Sequence, residues 1–361
     1  MSTTPQSAGK LRGLARLADA DGRYRMIAVD QRPPLFAALA RARSVSEDHL
    51  TWQEVADAKT LLVRELAPHV GAVLLDPVWT HPNALLDLPR STAMLSTLEG
   101  YDFTVVEGER RSAAIRDWSV GKARRAGADA IKVLAWHRPD VSEATAAHQD
   151  AFVRAAAEAC RAHDVPFVLE LLDYPFPGED ASDPAWLAGK PERVLGSLRH
   201  YADPSFGVDL FKLELPFDVH RVREVAGGAL DGVARDPIWT QEEADALLRE
   251  VDAISPVPWL LLSAGVGPRA FTYALERAVA AGASGFLAGR AVWLAALDGW
   301  PDSDGVAGAL QRDSVPLLHQ LGAVCEHATP WFAHRRYGGA PVLEHAGPDW
   351  SKRYPDVESA S

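Results

Sequence analysis

Short runs of Val, Ile, Leu and Phe recur along the chain, separated by longer stretches in which apolar residues return every three or four positions. The first pattern suits strands covered on both faces and the second suits amphipathic helices, so their alternation predicts repeated β-α units around a parallel sheet. Eight runs are predicted as strands: 26–30, 72–76, 93–98, 130–135, 166–171, 208–214, 258–262 and 284–288. Eight strands with interposed helices favour an α/β fold of the (β/α)8 TIM barrel type over a doubly wound sheet. Among the helices, 51–67 sets Val55, Leu62 and Leu66 at helical spacing, and Ser142 is placed to cap an Ala-rich helix over 142–163. A third, over 268–282, starts at Pro268 and stops at Gly282.

Three segments break this rhythm. Residues 174–205 are rich in Pro, Gly, Asp and Ser and are predicted as a long excursion after the fifth strand, with a short helix near 192–201. A second insertion is expected at 217–250, and 327–361 is a polar tail carrying Trp331, Tyr337 and Trp350. With no internal repeat or low-complexity linker, the simplest division is a single domain over 1–361. It comprises a barrel over about 22–325, loop insertions and a C-terminal extension at 327–361.

Composition narrows the function class. With 361 residues, 47% of them hydrophobic, the chain can bury a full core. A net charge of -12 and the lack of a basic block argue against nucleic-acid or anionic-membrane partners. An anionic small molecule is not disfavoured, since it needs only a few local donors. Cys160 and Cys325 fall in helical stretches and cannot make a disulfide framework. The N-terminus (Ser2, Thr3, Thr4, Gln6, Ser7) lacks an apolar core, and no apolar run is long enough to span a membrane, so a soluble cytoplasmic protein is expected. A homo-oligomer is compatible with the sequence, which fixes no subunit number. The eleven tryptophans read as packing residues.

Charge inside the predicted strands is the informative exception. Lys132 interrupts Ile131–Leu134, Glu170 interrupts Val168–Leu172, and Lys212 with Glu214 interrupts Val208–Leu215. Ionisable groups in a covered parallel strand must offset their desolvation cost. Alternation puts Val208, Leu210, Lys212 and Glu214 on one face. If that face points inward, Lys212 and Glu214 approach the C-terminal mouth, where active sites of this fold lie, and Lys132 and Glu170 join them from the neighbouring strands. A buried structural ion-pair network is the competing explanation. The chemistry favours function: burial and a neighbouring cation both promote the neutral, nucleophilic amine, and a carboxylate in reach can shuttle protons. Those parts suit carbonyl chemistry through an iminium ion.

The ends of the last two strands add an anion site. The seventh runs into Leu262-Ser263-Ala264-Gly265-Val266-Gly267 and the eighth into Ala288-Gly289-Arg290. Glycine loops there expose backbone N–H groups, Ser263 offers a hydroxyl, and Arg290 a fork-shaped cation suited to phosphate or sulfonate. The first strand ends in Asp30-Gln31, where the acid either caps the next helix or meets a ligand; Asp76 has the same two readings. His137, beyond the fourth strand, is assigned to a loop or polar rim. Without His-x-His, His-Glu-x-x-His or Cys-x-x-Cys, no metal or other cofactor is expected.

These motifs resemble the tagatose-1,6-bisphosphate aldolase family of class I aldolases, which includes the bacterial sulfofructosephosphate aldolases. The resemblance runs in order from Ala28-Val29-Asp30-Gln31-Arg32 through Leu75-Asp76-Pro77, Ala126–Lys132, Phe167–Leu172, Phe206–Pro216 and Leu262–Val266 to Gly285–Trp293, covering about residues 22–325. It implies a (β/α)8 barrel with Lys212 as Schiff-base lysine, Glu170 as acid/base and Lys132 as second active-site lysine. It also implies substrate contacts at Asp30 and Gln31 and an anion site at Ser263 and Arg290. The residue reading adds Gly265, Gly289 and Glu214 to the substrate-binding set. The chain departs from the family pattern at 174–205, at 217–250 and in its tail. Pro258–Trp293 looks more like the sulfofructosephosphate branch, whereas Glu170–Leu172 and Phe206–Pro216 look more like the tagatose branch. The expected activity is cleavage of an anionic ketohexose phosphate, tagatose 1,6-bisphosphate-like or 6-deoxy-6-sulfofructose 1-phosphate, to dihydroxyacetone phosphate and a three-carbon aldehyde. Two rivals stay open: a metal-assisted sugar-phosphate isomerase or lyase on the same barrel, and a barrel that binds a sugar phosphate without catalysis.

Overall fold

The structure, a computed structural model, describes residues 5–355; Ser2, Thr3 and Thr4 and the last six residues of the predicted tail lie outside that range. Its frame is a closed ring of eight parallel strands: β1 (Tyr24–Ala28), β2 (Ala72–Leu75), β3 (Ala93–Thr97), β4 (Ala130–Trp136), β5 (Phe167–Leu172), β6 (Leu210–Leu213), β7 (Trp259–Leu262) and β8 (Gly285–Ala288). Each pairs with the next, and β8 closes on β1 through Tyr24↔Gly285 to Ile27↔Ala288. The predicted eight-strand barrel is therefore the fold. Every predicted strand overlaps an observed one; β1 sits two residues earlier than predicted because the chain leaves the ladder before Asp30.

Alternation sorts the side chains into two cores. Residues facing outward, such as Ile27, Val73, Val133, Leu169, Phe211 and Leu261, pack against the surrounding helices. Those facing inward fill the barrel, with Met26, Leu74, Leu95, Ala130, Val168, Leu210, Leu260 and Leu287 in one cluster. Leu14 and Leu17 from the helix Ala8–Leu17, together with Trp331 and Tyr337 from the tail, join this cluster and plug its N-terminal end. That helix is not among the predicted elements, although Leu11, Leu14 and Leu17 carry its spacing. The tail is tied down by Trp331 N–H donating to Gly22 O at 2.8 Å and by a bridge between Gln6 and Leu343.

The predicted helices form for the reasons given. Trp52–Leu66 buries Val55, Leu62 and Leu66 and starts with a capping box between Thr51 and Glu54. Glu143–Ala162 begins at Ser142, whose hydroxyl accepts from Thr145 N. Pro268–Ala281 ends at Gly282, with φ 120°.

The two predicted insertions each lead into a barrel helix. Residues 174–205 contain Lys190–Tyr201, which buries Val194, Leu195, Leu198 and Tyr201 and is the barrel helix following β5. Residues 217–250 lead into Gln241–Ile254, which buries Ala244, Leu248 and Val251 and follows β6. The first falls where a short helix is predicted near 192–201, whereas the second, mostly polar outside one narrow stripe, was read from composition as part of an insertion. An antiparallel hairpin, Thr104–Val106 with Glu109–Arg111, lies in the connection after β3 and was not predicted. Among the described residues no helix is long and apolar enough to cross a membrane.

Candidate active site

Two residues beyond Ala130, Val168 and Leu210 on the same inward faces stand Lys132, Glu170 and Lys212. The barrel filling thus changes from apolar to ionic within one step of each strand. Lys132 Nζ lies 2.6 Å from Glu170 Oε2, and Lys212 Nζ lies 2.9 Å from Glu170 Oε1. One carboxylate therefore bridges both lysines. Asp30, two residues past the inward-facing Ala28, places Oδ2 3.0 Å from Lys132 Nζ. All four side chains are nearly sealed from solvent.

Sequence reasoning missed a fifth member. Glu99, two residues beyond Thr97 at the end of β3, puts Oε1 2.7 Å from Lys132 Nζ. Extending the inward parity of β3 past its end would have found it. Arg32 backs Glu99, with Nη2 3.6 Å from Oε1 and Nη1 donating to Glu99 O at 3.0 Å. Lys132 thus sits among three carboxylates, where its ammonium supplies the positive charge that such a set demands. Among the described residues no group of three His, Cys, Asp or Glu side chains has a metal-holding arrangement.

The electrostatics follow from this packing. Burial pulls the Lys132 pKa down, but Asp30, Glu170 and Glu99 overcome it and hold the group well above the usual lysine range. Lys132 stays a cation. Burial pushes Glu170 up, yet Lys132 and Lys212 leave it below the ordinary glutamate range. Asp30 behaves alike: burial opposes ionisation, and Lys132, Lys212 and Arg32 win. Lys132 and Lys212 share Glu170, a carboxylate within hydrogen-bond reach of Lys212.

The β7 and β8 ends form a second feature. Ser263 is buried at the end of β7, and the chain then turns through left-handed Ala264 (φ 45°) and Gly265 (φ 81°). A Cβ on Gly265 would stand 2.9 Å from Arg290 Cζ, so the guanidinium lies against this backbone. Arg290 is partly buried, which lowers its pKa against the pull of Glu170 and Asp30, and among the described residues it has no carboxylate partner within 4 Å. A Cβ on Gly289 would meet Gln31 Nε2 at 2.6 Å, so Gln31 rests on the β8 terminus. Gln31 Oε1 and Asp30 Oδ1 are buried acceptors with no protein donor. Asp30 thus contacts Lys132 directly, Arg290 feels the charges of Asp30 and Glu170, and Gln31, Gly265 and Gly289 lie against these residues or their loops; Ser263 instead lines a cavity with Lys190, Leu215, Phe217 and Phe271.

Glu214 does not join that group directly. Its Oε1 accepts from Asp173 N at 2.6 Å and its Oε2 lies 2.8 Å from Lys190 Nζ, so both oxygens are used in clamping the β5 and β6 ends to the helix Lys190–Tyr201. Asp76 is likewise structural: it pairs with the buried Lys59 and accepts from Val78 N and Trp79 N. Lys59 also donates to Val29 O at 2.8 Å, next to Asp30. His137 is buried, with Nδ1 2.8 Å from Ser197 Oγ and its ring stacked on His200, which is deeper than the predicted rim position.

Comparison with known proteins finds relatives along most of the chain. A tagatose 1,6-diphosphate aldolase of Streptococcus pyogenes serotype M1 is 32% identical over 314 residues, 84% of this chain and 92% of the relative. That of Streptococcus mutans is 29% identical over 323 residues, 88% and 96% of the two chains. Among solved structures, an archaeal fructose-1,6-bisphosphate aldolase with its catalytic Lys bound to the carbinolamine intermediate superposes with a TM-score of 0.53 at 16% identity, covering 87% of this chain and 98% of that one. A fructose-bisphosphate aldolase from Slackia heliotrinireducens gives 0.56 at 15% identity, covering 88% and 90%. These two support the barrel fold. The sequence pattern of the DeoC/LacD family aldolases matches residues 26–295, from β1 to just past β8. Because that match takes in residues of all eight strands and every residue of the ionic cluster, the chain belongs to the DeoC/LacD family of aldolases and is a lyase.

Proposed function

We propose that this aldolase is a class I enzyme that works through a Schiff base on Lys212, without metal or organic cofactor, in the cytoplasm. Its substrate is a ketohexose phosphate, either tagatose 1,6-bisphosphate-like or 6-deoxy-6-sulfofructose 1-phosphate, and its products are dihydroxyacetone phosphate and a three-carbon aldehyde. The observation that carries this reading is Glu170 bridging the two lysines, 2.6 Å from Lys132 and 2.9 Å from Lys212.

The neutral Lys212 amine attacks C2 of the ketose, giving a carbinolamine. Glu170, having taken the proton that the Lys212 ammonium gave up to become the attacking amine, donates it to the departing hydroxyl, and water leaves as the protonated iminium forms. The C4 hydroxyl then gives up its proton to a base, for which Glu170 is placed. The C3–C4 bond breaks, its electron pair passes into the enamine, and the aldehyde departs. Protonation at C3 and hydrolysis release dihydroxyacetone phosphate and restore the amine. Lys132, held as a cation by its three carboxylates, keeps Glu170 ionised between steps. Ser263, the Gly265 backbone and Arg290 receive the C1 phosphate, while Asp30 Oδ1 and Gln31 Oε1 are free to accept from sugar hydroxyls.

The test is borohydride reduction in the presence of dihydroxyacetone phosphate, followed by peptide mass spectrometry. A reduced adduct on Lys212, absent from Lys212→Met, is expected. Normal turnover by Lys212→Met, or an adduct on another lysine, would overturn the assignment.

A further inference from the structure

Most of the well-packed cations at the open end of the barrel are matched by acids: Arg32 by Glu99, Lys190 by Glu214, Arg193 by Asp173. Several guanidiniums are not: Arg111 on the hairpin after β3 donates to Thr145 Oγ1 at 3.0 Å and Arg221 to Asp236 O at 3.1 Å. Arg290 at the β8 end and Arg110 beside Arg111 have, among the described residues, neither a carboxylate within 4 Å nor a side-chain hydrogen bond.

Arg110 is held by aromatic faces instead. Its Cζ lies 4.3 Å from the ring centre of Trp136, 4.7 Å from that of Phe103 and 5.0 Å from that of Tyr174. Its backbone N–H donates to the Tyr174 hydroxyl at 3.1 Å. The adjoining chain is pinned as well: Ser112 N donates to Gln149 Oε1 at 2.7 Å, and Gln149 Nε2 donates to Trp136 O at 2.6 Å. Rings hold a guanidinium by its faces and leave its N–H edges available to an anion.

The position of the cage decides what that anion is. Trp136 ends β4 and, by alternation, shares the inward face of Lys132, four residues farther toward the mouth, or roughly 13 Å along the strand. The lysine stems of Lys132 and Lys212 rise from below it. Around the ring, β4 and β5 lie on the far side of β6 from β7 and β8, so Lys212 stands between the Arg290 loop and the Arg110 cage. A ligand bonded to Lys212, with one end at Arg290, directs its other end toward Arg110.

We infer that Arg110 receives the distal anionic group of the substrate, the phosphate or sulfonate on the carbon chain beyond the bond that breaks. The inference rests on the Schiff-base reading above. It makes Arg110 a specificity residue: the enzyme selects ketoses charged at both ends. Partial burial already penalises the Arg110 charge, and its pKa is lowered accordingly. A bound anion offsets that penalty, which a neutral hydroxymethyl end does not.

The experiment compares kcat/KM for tagatose 1,6-bisphosphate with that for tagatose 1-phosphate in the wild type, Arg110→Gln and Arg110→Lys, with borohydride trapping of dihydroxyacetone phosphate run alongside. Arg110→Gln is expected to lower the preference for the bisphosphate by roughly 10- to 100-fold, mainly through KM, as the loss of a charge-assisted pair predicts. Arg110→Lys should retain part of the preference. An unchanged preference in Arg110→Gln, or equal losses with both sugars and in both variants, would overturn the inference and leave the cage as packing. Absence of trapping in the wild type would overturn the Schiff-base reading, and the inference with it.

Discussion

Glu170 and Lys212 are direct register partners on adjacent strands, and their side chains meet inside the barrel with Lys212 Nζ 2.9 Å from Glu170 Oε1. The pairing is built into the sheet, so the distance between amine and base does not depend on a mobile loop. Lys132 reaches the other oxygen of the same carboxylate from the strand before. The unit behaves as one ionic layer laid over an apolar one.

Replacing Glu170 with Gln keeps the shape and removes the proton acceptor. We expect kcat to fall by about 10²- to 10⁴-fold with KM changed far less. Steady-state kinetics check this, and a variant with near-normal kcat would remove Glu170 from the proton path.

Lys132→Met leaves Asp30, Glu99 and Glu170 buried around an apolar side chain. Breaking a buried pair in this way costs about 3–5 kcal/mol, so urea unfolding at neutral pH should show a large deficit along with lost activity. The deficit should shrink toward acid pH, where the orphaned carboxylates take up protons. Equal deficits at neutral and acid pH would contradict this.

Asp173 gives a pH signature of its own. Burial and Glu214 push its carboxyl up to about 6, against the pull of Arg193. With an unfolded value near ~3.9, the folded state binds the proton more tightly between about pH 4 and 6, so this group's stabilisation is present below that window and fades as pH rises through it. Asp30 and Glu170 act in the opposite sense, their contribution being present above about pH 4 and lost as pH falls further. Asp173→Asn should flatten the decline between pH 4 and 6 in a series of urea titrations, and an unaltered slope would refute the assignment.

Gly265→Ala tests the anion loop. The added Cβ would stand 2.9 Å from the Arg290 guanidinium on a backbone with φ 81°, so Arg290 must move. A drop in kcat/KM of roughly tenfold for the phosphorylated ketose is expected, as for one weakened charge-assisted contact. Gly267→Ala, where a Cβ meets nothing within 4 Å and φ is negative, is the control. Equal kinetics in the two variants would count against the placement of Arg290.

Much of this was legible before any coordinates. Apolar runs located the eight strands, and period-two parity chose which of their charged residues meet: Lys132, Glu170 and Lys212. Parity failed where strands end. Glu214 and Asp76 have the inward parity, but Glu214 turns to Lys190 and Asp173 N, and Asp76 to Lys59, because the chain has left the ladder by then. Glu99 was missed for the converse reason, since it lies past the strand yet still points in. The barrel helix after β5 was anticipated near 192–201, whereas the polar-rich helix after β6 was hidden by the averaging that made 217–250 look like an insertion.

By itself the sequence determined the barrel and its inward-facing lysines and glutamate, because burial and alternation are local consequences of residue order. Only the tertiary structure decided that Lys132 is surrounded by three carboxylates and remains charged, that Arg290 leans on the Gly265 turn, and that Arg110 hangs in an aromatic cage. Those facts depend on distances between residues far apart in the chain, and electrostatic energies follow distance and burial, neither of which residue order states.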